Sequence, residues 1–145
     1  MKLQVVLNRP AISSFHHVGP AYGTSIKNLD CSDNECEFIV ADDICDYIEH
    51  DELFGIIKHY VSKLRHQGSI VIGGTEIFEI AKILLFETNL ESFNKTVFGS
   101  SKELTGLKSG ATSMFYVIDI LISLGLKITK KRIDAAKFVV EAFRE

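Results

Sequence analysis

The sequence predicts an α/β fold: a mostly parallel sheet with helices on both faces and a C-terminal antiparallel hairpin. Three observations carry that prediction. Glu37 to Ala41 (EFIVA) and Ser69 to Gly73 (SIVIG) are short, nearly continuous apolar runs, the pattern of strands buried inside a parallel sheet. Between them an amphipathic helix spans about Glu52 to Arg65, with Leu53, Ile56, Ile57, Tyr60, Val61 and Leu64 on one stripe. The chain closes with two strand-like segments, Leu126 to Ile133 and Lys137 to Phe143, joined by a turn around Asp134-Ala135.

The remaining elements follow in order. Lys2 to Leu7 (KLQVVL) reads as a strand, ended by Asn8-Arg9-Pro10 because proline offers no amide to a ladder. Ser13 to Ser25 is rich in Ser, Gly and His and reads as a long loop. Ile26 to Leu29 reads as a short strand ending at Asp30. Asp51 suits the N-cap of the amphipathic helix, and Gly68 suits a left-handed exit from it. Gly73-Gly74-Thr75 is expected to break the following strand, with Thr75 capping a helix to Phe86. A further helix is expected over Leu90 to Phe98 with Asn89 as cap, then a loop from Gly99 to Gly110. Thr112 is expected to cap a last helix reaching Leu124, stopped by Gly125.

Composition narrows the function classes. A chain of 145 residues fits one domain, residues 1–145, with enough interior to form a core without disulfides. With 46% apolar and 24% charged residues and only 2 Pro, disorder and collagen-like repeats are excluded. A formal charge of −3 argues against a general nucleic-acid binder; the run Lys127, Lys130, Lys131, Arg132 reads as a solvated or edge-protecting face. The longest apolar runs fall short of a bilayer span, and Met1-Lys2 leads straight into a strand, so no membrane association is expected and the compartment is expected to be cytoplasmic. Cys31, Cys36, Cys45 and His50 have the spacing C-x4-C-x8-C-x4-H, which matches no common zinc arrangement, so no metal site is expected.

An ordered series of motifs resembles class I, Rossmann-like, S-adenosylmethionine-dependent methyltransferases over residues 26–143. Glu37 to Leu53 resembles that family's fourth strand and following helix, and Lys63 to Gly74 (KLRHQGSIVIGG) its turn into the fifth strand. Ser123 to Glu141 resembles its closing helix and the antiparallel sixth and seventh strands. The pattern is similar to that of short, truncated methyltransferase-like proteins encoded by phages and related genomes. What the resemblance lacks is as specific. The family's glycine-rich loop after the first strand is replaced by Asn8-Arg9-Pro10-Ala11, and the six residues between Asp30 and Glu37 leave no room for a third strand.

The resemblance implies S-adenosylmethionine as cofactor and Asp30, Asp42, Asp43, Gly73 and Gly74 as candidate cofactor-binding residues. Asp30 would accept the ribose hydroxyls at the end of the second strand, or is a plain turn residue. Asp42 and Asp43 follow a parallel strand, the edge where such sheets hold ligands, or they cap the next helical turn. Gly73 and Gly74 allow close approach of a ligand or of another backbone. His16 and His17 lie in a polar loop, as exposed residues or as a general base, and no catalytic residue is assigned. The methyl acceptor is undefined. The alternative is a degenerate, non-catalytic methyltransferase fold serving as a binding or assembly module. The partners expected are a small-molecule ligand and a second copy of the chain, since a shortened sheet exposes edges and helix faces.

Overall fold

The computed structural model describes residues 1–86 and 89–145. Its strands are β1 (Lys2–Val5), β2 (His16–Val18), β3 (Cys36–Ala41), β4 (Leu64–Thr75), β5 (Leu126–Asp134) and β6 (Lys137–Arg144). The helices are α1 (His50–Lys63), α2 (Ile77–Phe86), α3 (Leu90–Phe98) and α4 (Met114–Ser123). One six-stranded sheet runs in the order β2-β1-β3-β4-β6-β5. The first four strands are mutually parallel, β6 is antiparallel to β4, and β5 is antiparallel to β6, so the expected mixed sheet with a closing hairpin is present.

Alternation explains the core. Ile39 and Ala41 of β3, Ile70 and Ile72 of β4, and Phe138, Val140 and Ala142 of β6 are fully buried on one face of the sheet. Against that face pack α1 through Leu53, Ile57 and Tyr60 and α4 through Val117, Ile120 and Leu121, and the two helices touch each other. The helical cover is therefore one-sided. The alternate residues Phe38, Val40, Val71, Val139 and Phe143 are only half-buried, and α2 packs on α3 instead of on that face. The link from β1 to β2, Val6 to Phe15, forms no helix; from it Phe15 sets its ring edge-on to Phe38 at 5.8 Å.

Several element boundaries differ from expectation, each for a local reason. The second strand is His16–Val18, inside the segment read as loop, and Ile26 to Leu29 is irregular. Three residues joined to β1 by parallel pairing carry too little apolar pattern to be read in advance. α1 begins two residues earlier than expected, with Glu49 in the N-cap position and Asp51 inside the first turn, where its charge still favours the positive helix end. Gly68 does not end that helix: α1 passes directly into β4, Gln67 holds the positive φ, and Arg65 to Gly68 bulge out between the paired positions Cys36/Leu64 and Phe38/Ser69. Ser113, not Thr112, caps α4 by accepting from the Phe115 amide, while Asn89 caps α3 as expected. The Gly125 stop and the β5–β6 hairpin stand where predicted, with Ala135 in the left-handed region at φ 53°.

Candidate functional site

In a parallel sheet, ligands collect at the carboxyl ends of the strands, above the point where neighbouring connections leave in opposite directions. Here that point lies between β1 and β3: β1 is followed outward by β2, and β3 by β4 on the other side. Asp42 and Asp43 stand at the end of β3 on this point. Arg9, from the loop after β1, places Nε 3.4 Å from Asp42 Oδ2. Lys137, at the start of β6, places Nζ 3.2 Å from Asp43 Oδ1. Burial, and next the adjacent Asp43, hold the Asp42 carboxyl above the usual carboxylate range, with Arg9 pulling the other way. Asp43 is buried, and its Oδ2 has no hydrogen-bond partner among the described residues. Beside these pairs opens a cavity of about 350 Å³ lined by Arg9, Thr96, Arg132, Asp134, Lys137 and Val139.

A second polar cluster closes the adjoining edge above β4. Asp46 is buried, and its Oδ1 accepts from the Thr75 amide at 2.7 Å while Oδ2 accepts from the Thr75 hydroxyl at 2.9 Å. Lys108 Nζ lies 3.1 Å from Asp46 Oδ2 and also donates to the Thr96 carbonyl at 2.7 Å. The Asp46 carbonyl in turn accepts from the Ser109 amide. These bonds tie the 3-10 turn after β3, the end of β4, α3 and the loop after α3 into one unit. Next to it Glu76 is buried: Oε1 accepts from the Ser113 hydroxyl at 3.0 Å, and Oε2 has no hydrogen-bond partner among the described residues.

The five sequence candidates separate into two groups. Asp42, Asp43, Gly73 and Gly74 come together. The two glycines, however, do not form an open turn. They lie within β4, paired with Val139 and Phe138 of β6, and Thr75 ends the strand instead of capping α2. A Cβ on Gly73 would sit 2.4 Å from the Asp42 carbonyl oxygen and 2.6 Å from that of Phe138; one on Gly74 would sit 2.7 Å from Cys45 Cβ. Glycine here lets the end of β3 approach β4 and β6, which places Asp42 and Asp43 at the edge. Asp30 lies elsewhere. It is exposed, one residue before Cys31, whose Sγ is 3.8 Å from that of Cys36 at the start of β3; this is the opposite end of the sheet from Asp42. It borders a separate cavity of about 330 Å³ with His16, Val18 and Asn28. His17 stacks on Tyr22, remote from the acids in sequence and on edge strand β2.

Sequence reasoning missed Lys108, Arg132 and Lys137 as parts of this edge. Lys108 sits in a stretch read only as loop, and its one signal is a lone cation in Gly106-Leu107-Lys108-Ser109-Gly110. Among the described residues no group of three or more His, Cys, Asp or Glu side chains could hold a metal ion, and no helix is long and apolar enough to cross a membrane.

The donor set can be tested against S-adenosylmethionine. Arg9, Arg132 and Lys137 line the cavity and offer donors to a carboxylate, whereas Asp43, buried behind Lys137, does not line it. Those donors fit the carboxylate of the cofactor's amino-acid end. Its nucleoside end finds no counterpart at this edge: the loop after β1 holds no glycine, the residue after β2 is Gly19, and Asp30 is at the far edge.

No protein-family model matches the sequence, and no curated protein compared with it matches. Solved structures do. A SAM-dependent methyltransferase from Methanosarcina mazei superposes with a TM-score of 0.63 at 12% identity, over 90% of this chain and 67% of that one. A SAM-dependent methyltransferase from Thermotoga maritima gives 0.58 at 12% identity, over 90% and 65%. The magnesium protoporphyrin IX methyltransferase of Synechocystis, with bound S-adenosylhomocysteine, gives 0.58 at 12% identity, over 89% and 51%. This chain thus spans from half to two-thirds of the length of these three proteins. Its strand order, closing hairpin and these superpositions together make the fold that of the Rossmann-like SAM-dependent methyltransferases, in a shortened form.

Proposed function

We propose that this chain is a S-adenosylmethionine-dependent methyltransferase-like protein that takes the charged amino-acid end of the cofactor at the β1/β3 edge, with an acceptor still to be defined. The observation that supports this reading most is the pairing of Arg9 with Asp42 and of Lys137 with Asp43 at the switch point, beside a cavity of about 350 Å³. Arg9 and Lys137 would orient a carboxylate, while Asp42 and Asp43 hold those two cations in place from behind. When bound, S-adenosylmethionine supplies a methyl group already activated on its sulfonium, so the chain's own part is positioning and exclusion of water.

Calorimetric titration with S-adenosylmethionine and S-adenosylhomocysteine tests this. Micromolar binding is expected, weakened about tenfold or more by Asp43→Asn. An Asp30→Ala variant reports separately on the ribose role implied by the resemblance. No heat at millimolar ligand from a folded sample overturns the proposal.

A second reading is favoured by the Asp46–Thr75–Lys108 cluster, which closes the edge above β4 with the chain's own side chains. In that reading the fold is non-catalytic and serves as a binding or assembly module, and the absence of heat in the same titration supports it.

A further inference from the structure

Two of the chain's thiols meet. Cys31 Sγ lies 3.8 Å from Cys36 Sγ, within hydrogen-bond reach for sulfur. The turn between them brings this about. Asn34 takes the left-handed conformation at φ 61°, and the Ser32 amide donates to Glu35 Oε2 at 2.7 Å. The turn is also anchored from outside. The Asn34 amide donates to the Ser62 carbonyl at 3.0 Å, and Asp33 pairs with Lys63 at 2.8 Å, both at the end of α1. The backbone that carries the two sulfurs is therefore held in place while their side chains remain free to turn about χ1.

Their surroundings divide the roles. Cys36, at the start of β3, is fully buried, whereas Cys31 is half-buried in the turn and open to a small reagent. Cys45 is buried as well, but it follows the other end of β3, against Gly74. The strand that separates it from Cys36 is six residues long, roughly 16 Å, so Cys45 reaches neither thiol.

We propose that Cys31 and Cys36 form a redox modification site, closing to a reversible disulfide when the chain meets hydrogen peroxide. The Cys31 thiolate attacks one peroxide oxygen: an S–O bond forms, the O–O bond breaks, and hydroxide leaves and takes up the proton that Cys31 released. The Cys36 sulfur then attacks the Cys31 sulfur. The S–O bond breaks, and the departing hydroxide leaves as water with the Cys36 proton. Two thiols lose two electrons, and one peroxide becomes two waters. The bridge fastens the segment between β2 and β3 to the sheet, and the proposal does not rest on cofactor binding. Treating the folded full chain with excess hydrogen peroxide and then alkylating it in urea tests this. Two of the three thiols should be lost to alkylation, and dithiothreitol should restore both. Cleavage after Asp33, Glu35 and Asp43 separates the three cysteines, so mass spectrometry of the linked peptides identifies the bridge. Cys45→Ser should leave the result unchanged, and Cys36→Ser should stop the reaction at a Cys31 sulfenic acid that dimedone captures. A wild-type chain that keeps all three thiols, bridges through Cys45 or links two copies overturns the proposal, and that measurement needs no variant to fold.

Discussion

Lys108 shows how one side chain can govern an edge of this molecule. Its ammonium is the only cation within 4 Å of the Asp46 carboxylate among the described residues, and both groups are nearly fully buried. Removing one partner of such a pair strands the other charge in the interior, which destabilises by roughly 3–5 kcal/mol. Lys108→Met should therefore lower the urea-unfolding free energy by about that much, and Asp46→Asn added to it should recover part of the loss. Cys36 offers a test by pH. Burial, and then the neighbouring Cys31 thiol, push its pKa from an ordinary 9.0 up to about 12. A thiol whose folded pKa lies above its unfolded value favours folding fully below the unfolded value. That contribution is lost as pH rises from about 9 toward 12, because only the unfolded chain then ionises. Compared with Cys36→Val, the wild-type protein should hold a constant stability difference up to about pH 8 and lose ground steadily above it. The sequence singled out Cys31 and Cys36 only as thiols without a metal spacing, and nothing in it signalled that Lys108 pairs with Asp46. Lys108 reaches Asp46 from a loop whose course depends on tertiary contacts, which no local pattern encodes.

At the level of elements, the two kinds of glycine in this chain predict opposite outcomes. Gly73 lies in β4 where an added methyl would meet the carbonyl oxygens of Asp42 and Phe138, and Phe138 cannot retreat without breaking the β4–β6 ladder. Gly73→Ala should cost about 3 kcal/mol or more. Gly55, inside α1 with nothing within 4 Å of its would-be Cβ, should give about 0.5–1 kcal/mol of added stability on substitution by Ala, because the helix then loses less chain entropy. Chemical denaturation of both variants checks the contrast in sign. The same elements show what was legible. α3 and the β5–β6 hairpin stand where the sequence places them, and α1 and the two central strands, which carry strong periodicity, are present with shifted ends. β2 does not, because a three-residue edge strand is stabilised by its neighbour β1 and not by its own pattern. β4 proved longer at both ends for a related reason. At one end Leu64 pairs with Cys36 of β3, and at the other Gly74 and Thr75 are held by Phe138 and Lys137 of β6, more than sixty residues away in sequence.

For the whole molecule, the shortened frame accounts for the surfaces left bare. The β1-to-β2 link has no helix, so one sheet face is only half-buried, while α1, α4 and the segment around Leu29 cover the other. Helices on both faces were expected because buried-type strands such as EFIVA normally imply them; here Phe15 packs on Phe38 instead, and Val40 is half-buried. The α2–α3 arm, with Phe78, Leu85 and Phe86 exposed, adds a second apolar surface. The position of β6 has a consequence for how the chain is made. β4 lies between β3 and β6, and its β6-facing edge carries Ile70, Val71 and Ile72. During synthesis at about 5–20 residues per second, β4 emerges several seconds before the strand that completes it. For that interval the nascent chain presents an open, apolar edge at the centre of its own sheet, so its solubility in a cell depends on translation speed and on chaperones that shield strands in waiting.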